Sequence, residues 1–504
     1  MIAARPFDYA QVLYLVAPEL LLVLTALFVM TADVLLLRHR SLRTRFTATS
    51  LLAALGCIAA IIQIAASSAS SNLLNGVLLT IPLVHAVQIS ILTITIVALL
   101  LAANSRFTHH VGEYILLILA ATCGMMFLAA TEDLLVIFLS LELLSLSLYI
   151  LAAFDKRGAR AWEAALKYFL FGGMSAGFLL FGFSLLYGVS NSTSLRDIAA
   201  AIAASHTVGL NPLLAVAIVT VAIGLGFKIA AAPLHFWAPD VYEAAPVPSA
   251  ALIASGSKVA SFFLLFQIAA IGLLPAAGSA ALRHPARGWV PVLAILAIVS
   301  MLVGNLGALR QLSLRRLLAY SAVAHAGYML VGICAHTAGS LSALLYYVIT
   351  YALATVGVFA VLSAVEEDSA SDLLPALAGL SRRSPVLAGS LAVFILSLAG
   401  IPPLAGFFGK FYLFVAALEA VPGSTPLLWL VILAIAFSCV SLYYYLIVLK
   451  HAYVVQADPS VGLLRAPFLT RLLAVALALA VVVLGCAPHL LLGWFNAAIA
   501  ASGL

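Results

Sequence analysis

Charged residues are scarce in this chain: only 8% of its 504 residues are Asp, Glu, Lys or Arg, against about 25% in a soluble domain. With 65% of positions hydrophobic, a water-soluble globular protein is excluded and a polytopic membrane protein is indicated. A basic block is missing as well. The net charge of +6 is small for this length and spread along it, which argues against nucleic acid as a partner. Cys57, Cys123, Cys334, Cys439 and Cys486 stand alone, with no CxxC pair and no Cys/His cluster, so zinc, iron–sulfur and disulfide chemistry have no basis in the sequence. No GxGxxG dinucleotide turn occurs. The first apolar run has no basic stretch leading into it and no small-residue cleavage site, so it is read as a retained helix, and no soluble domain is expected at either end.

Apolar runs, by contrast, are abundant. A spanning helix needs about 20 of them in a row, and fourteen runs qualify, near 11–35, 48–67, 79–103, 114–131, 133–154, 161–188, 212–232, 247–273, 289–309, 316–335, 339–364, 385–418, 427–453 and 468–495. The expected fold is therefore an all-α bundle of about fourteen transmembrane helices. The run after Ser384 contains GIPPLAG, whose prolines interrupt the backbone ladder, so it is read as one broken helix. Cytoplasmic loops carry the excess of Lys and Arg. Sixteen such residues fall on one side: Arg38, Arg40, Arg43, Arg45, Arg106, Lys156, Arg157, Arg160, Arg310, Arg315, Arg316, Arg382, Arg383, Lys450, Arg465 and Arg471. Four, Arg5, Arg196, Arg283 and Arg287, fall on the other. An even number of crossings then puts both termini outside.

Against this background a few charges lie inside the runs: Lys228 in AIGLGFKIAAA, Lys258 in ALIASGSKVASFFLLF, Lys410 in AGFFGKFYLFVAAL and Glu142 in LLVIFLSLELLSLSLYIL. A charge at the bilayer centre costs about 2.5–3.5 kcal/mol on insertion scales, so such positions point to proton or ion transfer. Desolvation disfavours a charged amine and a nearby carboxylate restores it. A Glu142–Lys228 pair would thus act as a switch, Lys258 would receive a proton through water, and Lys410 would pass it to the far side. His325, in SAVAHAGYML, is a candidate relay because it titrates near neutrality. Plainer readings stand beside these: Glu142 as a structural counter-ion, His325 as a satisfied core residue, and Lys167 as a snorkelling side chain near the Arg157 and Arg160 loop. His235, Asp240 and Glu243 read as cap and loop anchors.

The chain also repeats a pattern. GFKIAAAPLHFWAPD (226–240) and FILSLAGIPPLAGFFGKFYLF (394–414) each couple a lysine to helix-breaking Pro and Gly. The first meets its proline after the lysine and the second before it, as an inverted repeat requires. This divides the chain into an N-terminal three-helix segment (1–113), a first repeat of helices four to eight (114–273), a second of helices nine to thirteen (289–453) and a C-terminal helix (454–504).

PLHFWAPDVYEAAPVPSAALIASGSKVA (233–260), SLELLSLSLYIL (140–151), RRLLAYSAVAHAGYML (315–330) and SLAGIPPLAGFFGKFYLF (397–414) resemble the antiporter-like subunits of respiratory complex I. The wording FWAPDVYEAAP, the lysine at 410 and the end of the chain after helix fourteen resemble the N-type subunit among them. The resemblance implies a proton path with Glu142 on helix five, Lys228 on helix seven, Lys258 on helix eight, Lys410 on helix twelve and Lys167 on helix six. It also implies no cofactor in this chain, with FMN and iron–sulfur clusters, NADH and quinone handled by partner subunits. Neighbouring antiporter-like and small membrane subunits are the expected partners, and the bacterial inner membrane the expected site. Two other readings stay open: a stand-alone or Mrp-type cation/proton antiporter, and a membrane-arm subunit that no longer pumps.

Overall fold

The computed structural model describes residues 9–67, 71–73, 76–156, 158–205, 210–421, 423–457 and 462–503. Arg5 and Arg157 of the orientation argument lie outside the described residues. The chain opens with α1 (Tyr9–Leu15), α2 (Ala17–Ala32) and α3 (Leu42–Ala66), followed by a small antiparallel ribbon of β1 (Ser71–Leu73) and β2 (Leu78–Thr80). Next come α4 (Pro82–Ala102), α5 (Val111–Ala129), α6 (Leu134–Ala152), α7 (Ala159–Ser190), α8 (Leu195–Ala204), α9 (Pro212–Lys228) and α10 (Trp237–Ala244). The central stretch holds α11 (Val247–Ala254), α12 (Gly256–Gln267), α13 (Trp289–Ala308), α14 (Leu314–Ala335) and α15 (Ala338–Ser369). The chain closes with α16 (Leu380–Arg383), α17 (Pro385–Ala399), α18 (Ala405–Leu418), α19 (Leu428–Tyr453), α20 (Phe468–Cys486) and α21 (His489–Ala501).

Among the described residues, twelve helical segments are long and apolar enough to cross a bilayer. The shorter α9 and the α17/α18 pair complete fourteen crossings, as expected from the apolar runs. Their starts are set by local chemistry. Asp133 caps α6 by accepting from Leu135 N and Val136 N, and Ser313 caps α14 through Arg316 N. Thr337 and Ser340 form a capping box at α15, satisfying donors that a helix start leaves orphaned. The segment Val247–Gly272 is wholly buried and α14 and α15 nearly so, whereas α2, α7 and α19 turn most of their surface outward. The centre of the bundle is therefore α11, α12, α14 and α15.

Both expected breaks are present. After Lys228 the chain unwinds through 229–236, with Ala230 at φ +58° and a cis Ala232–Pro233 bond, and Ala232 N finds Ser300 Oγ at 2.9 Å. Between α17 and α18, Gly400 takes φ +88° and Pro402–Pro403 is cis, while Ser397 Oγ accepts from Gly406 N at 3.0 Å. Two further breaks differ from the expectation of continuous helices. Ser255 interrupts the eighth crossing with φ −123° and ψ −79°, with no proline to announce it. The last crossing, read as continuous over 468–495, ends at Cys486; Pro488 bars the helix from continuing, and α21 turns back so that Ser502 Oγ accepts from Leu83 N.

The Arg/Lys-rich face is clasped by its own loops. Buried Arg315 donates to Glu366 through Nε at 2.6 Å and through Nη2, and to the carbonyls of Ala245 at 2.7 Å and Glu243 at 3.2 Å. Arg383 reaches Asp368, and Arg45 pairs with Asp33, which also accepts from Gly112 N at 2.8 Å. Several arginines that signal orientation thus also tie helices together.

Candidate functional site

The helix breaks create the site, because a helix end leaves carbonyls without partners and concentrates about half a negative charge there. Lys410, 5% exposed, donates from α18 to the last carbonyls of α17, Ala399 O at 3.0 Å and Leu398 O at 3.2 Å, and to Ser438 Oγ at 2.9 Å. Lys258, only 1% exposed, reaches from α12 to Ala322 O at 2.9 Å and to Ile229 O, in the break after α9, at 3.3 Å. Lys228, the final residue of α9, donates to Ser145 Oγ and to Tyr149 Oη at 3.3 Å. Among the described residues none of the three has a carboxylate in contact. An aromatic ring flanks each ammonium: Tyr149 at 5.3 Å from Lys228, Tyr351 at 5.6 Å from Lys258 and Tyr328 at 5.2 Å from Lys410.

His325 occupies the gap between Lys258 and Lys410. It sits one turn beyond Ala322 on α14, and its ring lies 4.9 Å from that of Tyr351 and 5.7 Å from that of Tyr328, the same two rings that flank the lysines. Nδ1 meets Tyr347 Oη at 2.7 Å and Nε2 meets Tyr445 Oη at 3.0 Å. Tyr445 continues to Ser321 Oγ at 2.5 Å. Hydroxyls both donate and accept, so every neighbour of the imidazole accommodates either of its tautomers. Among the described residues the buried hydroxyl of Ser261 has no protein partner and is available to bond water; those of Tyr351 and Thr355 face each other.

Two expectations change. Glu142 and Lys228 make no direct ion pair among the described residues; Ser145 and Tyr149 take that place. Glu142 lies half-buried on the same helix two turns before Tyr149, about 10 Å along the axis, and about one turn before Ser145. Lys167 lies apart from the row, in a network at the Arg/Lys-rich face. It pairs with Glu163 at 2.7 Å and Asp240 at 2.8 Å, and Arg316 joins Asp240 at 2.9 Å and Glu243 at 2.8 Å. Asp240 sits on the short interfacial helix α10. Burial raises its pKa, but hydrogen bonds from Lys167 and Arg316 outweigh this and hold the carboxyl below its ordinary range. Arg160, Glu163, Lys167, Asp240, Glu243 and Arg316 surround a cavity of about 300 Å³. Tyr168, stacked 4.3 Å from Trp237 and edge-on to Tyr149 at 4.6 Å, stands between this cavity and Lys228. His235 is buried and stacks on Phe236 at 4.8 Å, with Nδ1 unpartnered among the described residues, and its ring bonds the backbone of Pro233.

Sequence reading passed over Ser145, Tyr149, Tyr328, Tyr347, Tyr351, Ser438 and Tyr445. A signal was present, since Tyr347 and Tyr351 share a helix face four residues apart in an apolar run, but tyrosine in such a run reads first as core. Among the described residues no group of three His, Cys, Asp or Glu side chains could hold a metal ion.

Comparison with known proteins places this geometry in a family. A family model described as NADH:quinone oxidoreductase/Mrp antiporter, TM, matches residues 130–438. NADH-quinone oxidoreductase subunit N 2 of Acidobacterium capsulatum is 52% identical over 501 residues, covering 98% of this chain and all of the relative. A chain of respiratory complex I from Thermus thermophilus, solved with bound Aureothin, superposes with a TM-score of 0.77 at 33% identity, covering 94% of this chain and 98% of that one. A chain of the Mrp complex from Dietzia sp. superposes at 0.80 but with 21% identity, over 97% of both chains, and shares the fold. With the broken helices and the buried lysines set in a bundle of this shape, the chain belongs to the NADH-quinone oxidoreductase subunit N family.

Proposed function

We propose that this chain moves protons across the bilayer as the antiporter-like subunit N of a membrane-bound NADH-quinone oxidoreductase, along Lys228, Lys258, His325 and Lys410. The observation that carries the reading is the manner in which the three lysines are held. Each ammonium is buried among carbonyls, hydroxyls and aromatic faces, and among the described residues none touches a carboxylate. A structural lysine would be expected to keep a permanent counter-ion, because a buried charge without one is costly. Amines that gain and lose a proton need acceptors that tolerate both states, which carbonyl caps and hydroxyls do. Glu142 acts on Lys228 through space as the modulating charge, and Lys167 belongs to the ion network at the mouth of the path.

Electron transfer from NADH to quinone, with its FMN and iron–sulfur clusters, falls to partner subunits. The four-part division at 113, 273 and 453, with inverted repeats around α9 and α17/α18, supplies the two half-paths. The Arg/Lys-rich face is cytoplasmic, both termini lie outside, and the membrane is a bacterial inner membrane. A stand-alone antiporter on the same fold is the competing reading, and the full-length relationship at 52% identity favours the complex. The test is purification followed by mutation. The chain should copurify with a flavin- and iron–sulfur-containing assembly, and Lys228→Ala or Lys258→Ala should lower quinone reductase turnover and proton pumping while assembly persists. Cation flux in liposomes holding this chain alone, or full pumping by both variants, would overturn it.

A further inference from the structure

Outside the lysine row, and before the stretch 130–438 that the family model covers, a second buried ionisable group borders a cavity of its own. Glu19 lies in the first turn of α2 and is 2% exposed. Gln88 Nε2 donates to its Oε1 at 2.6 Å, while Oε2 has no hydrogen-bond partner among the described residues. The carboxyl borders a cavity lined by the polar side chains of Gln63, Ser67, Thr80, His85 and Gln88. Its volume of about 10 Å³ is at the lower limit for a single water molecule. The cavity lies at the face opposite the arginine-rich loops, beside β2, with exposed Tyr14 at its edge.

The arrangement is that of a carboxylic acid that holds its proton. The titratable groups facing Glu19 are His85 on α4, Cys123 on α5 and Tyr14 on α1, and among the described residues no lysine or arginine lines the cavity. An ionised carboxylate there would have the Gln88 amide and the backbone N–H groups of the first turn of α2 in its favour. A helix terminus contributes about 0.3–1 kcal/mol, whereas burying a charge without a partner costs several kcal/mol. A protonated carboxyl fits each contact: Oε1 accepts from the Gln88 amide, and the Oε2 hydroxyl donates into the polar cavity.

We propose that Glu19 is a proton-binding site at this face, taking one proton from the adjoining aqueous phase and returning it through the opening beside Gln63 and Ser67. The site stands independently of the lysine path. It is tested on the native, assembled complex with dicyclohexylcarbodiimide, which activates protonated carboxyls in apolar surroundings, followed by peptide mass spectrometry. The expected result is an adduct on Glu19 at neutral pH that is lost as the pH is raised, is unaffected by sodium chloride, and is absent from Glu113, whose side chain is 44% exposed. A Glu19 that stays unlabelled even in mild acid would overturn the proposal, as would protection by sodium at constant pH, which would mark a metal-cation site. As a second measurement, Glu19→Gln keeps the shape and the Gln88 contact and should remove one protonated-carboxyl band from the pH-difference infrared spectrum. An unchanged spectrum would contradict the assignment.

Discussion

Lys410 ends on two carbonyl oxygens and a serine hydroxyl, and the magnitudes explain why such a group can change state. A charge at mid-membrane costs about 2.5–3.5 kcal/mol, and a helix C-terminus returns at most about 2 kcal/mol. The remainder is close to the 1.4 kcal/mol that shifts a protonation equilibrium tenfold. A unit charge about 10 Å from an amine contributes ~1.7 kcal/mol at an effective dielectric constant near 20, so a carboxylate can bias a buried lysine without touching it. Glu142→Gln, which removes the charge at nearly constant shape, should therefore lower proton translocation several-fold in the assembled complex; wild-type pumping would rule out the carboxylate as a switch. Tyr347→Phe leaves His325 Nδ1 without its hydroxyl, at a cost of about 1–3 kcal/mol for a buried group. Turnover should fall while assembly is retained, and an unchanged rate would place His325 among satisfied core residues.

At the scale of helices, the break between α17 and α18 depends on very close packing. A Cβ on Gly406 would lie 1.9 Å from Ser397 O, and one on Gly400, already at φ +88°, would come within 3.1 Å of Lys410 Nζ. Gly406→Ala should cost about 1–3 kcal/mol through overpacking, seen as a lower melting temperature or failed assembly of the complex, whereas a stable variant would show that the break tolerates a different geometry. Ser397→Ala, which only removes the cap on Gly406 N, should cost about 1 kcal/mol. These breaks were legible beforehand because proline and glycine announce them. The break at Ser255 was not, since no proline marks it and the lone Gly256 that follows Ser255 is a weak signal inside an apolar run. The same limit applies to the site. Lysines in apolar runs declare themselves by their cost, whereas Tyr347, Tyr351 and Tyr445 acquire a role only when three helices meet around His325. The absence of a direct Glu142–Lys228 contact likewise follows from the facing of α6 and α9, which periodicity alone does not specify.

Across the whole molecule, the buried row runs through the central helices, and an ion network covers its approach at the Arg/Lys-rich face. Asp240 belongs to that network and has a folded pKa below its ordinary value. Its stabilisation is therefore complete above that ordinary value, near 3.8, and is lost as the pH falls through the lower folded value. The gap in melting temperature between the native complex and an Asp240→Asn variant should stay constant near neutrality and close in strong acid; a gap that widens in acid would contradict the ion-pair assignment. The row itself is tested most directly at its centre, where Lys258 joins the break after α9 to the helix that carries His325. Lys258→Met removes the charge while keeping the buried stem, and the quantity to measure is protons moved per electron by the assembled enzyme in proteoliposomes. The account predicts a lower ratio in a complex that still assembles, and a ratio equal to that of the native enzyme would contradict it.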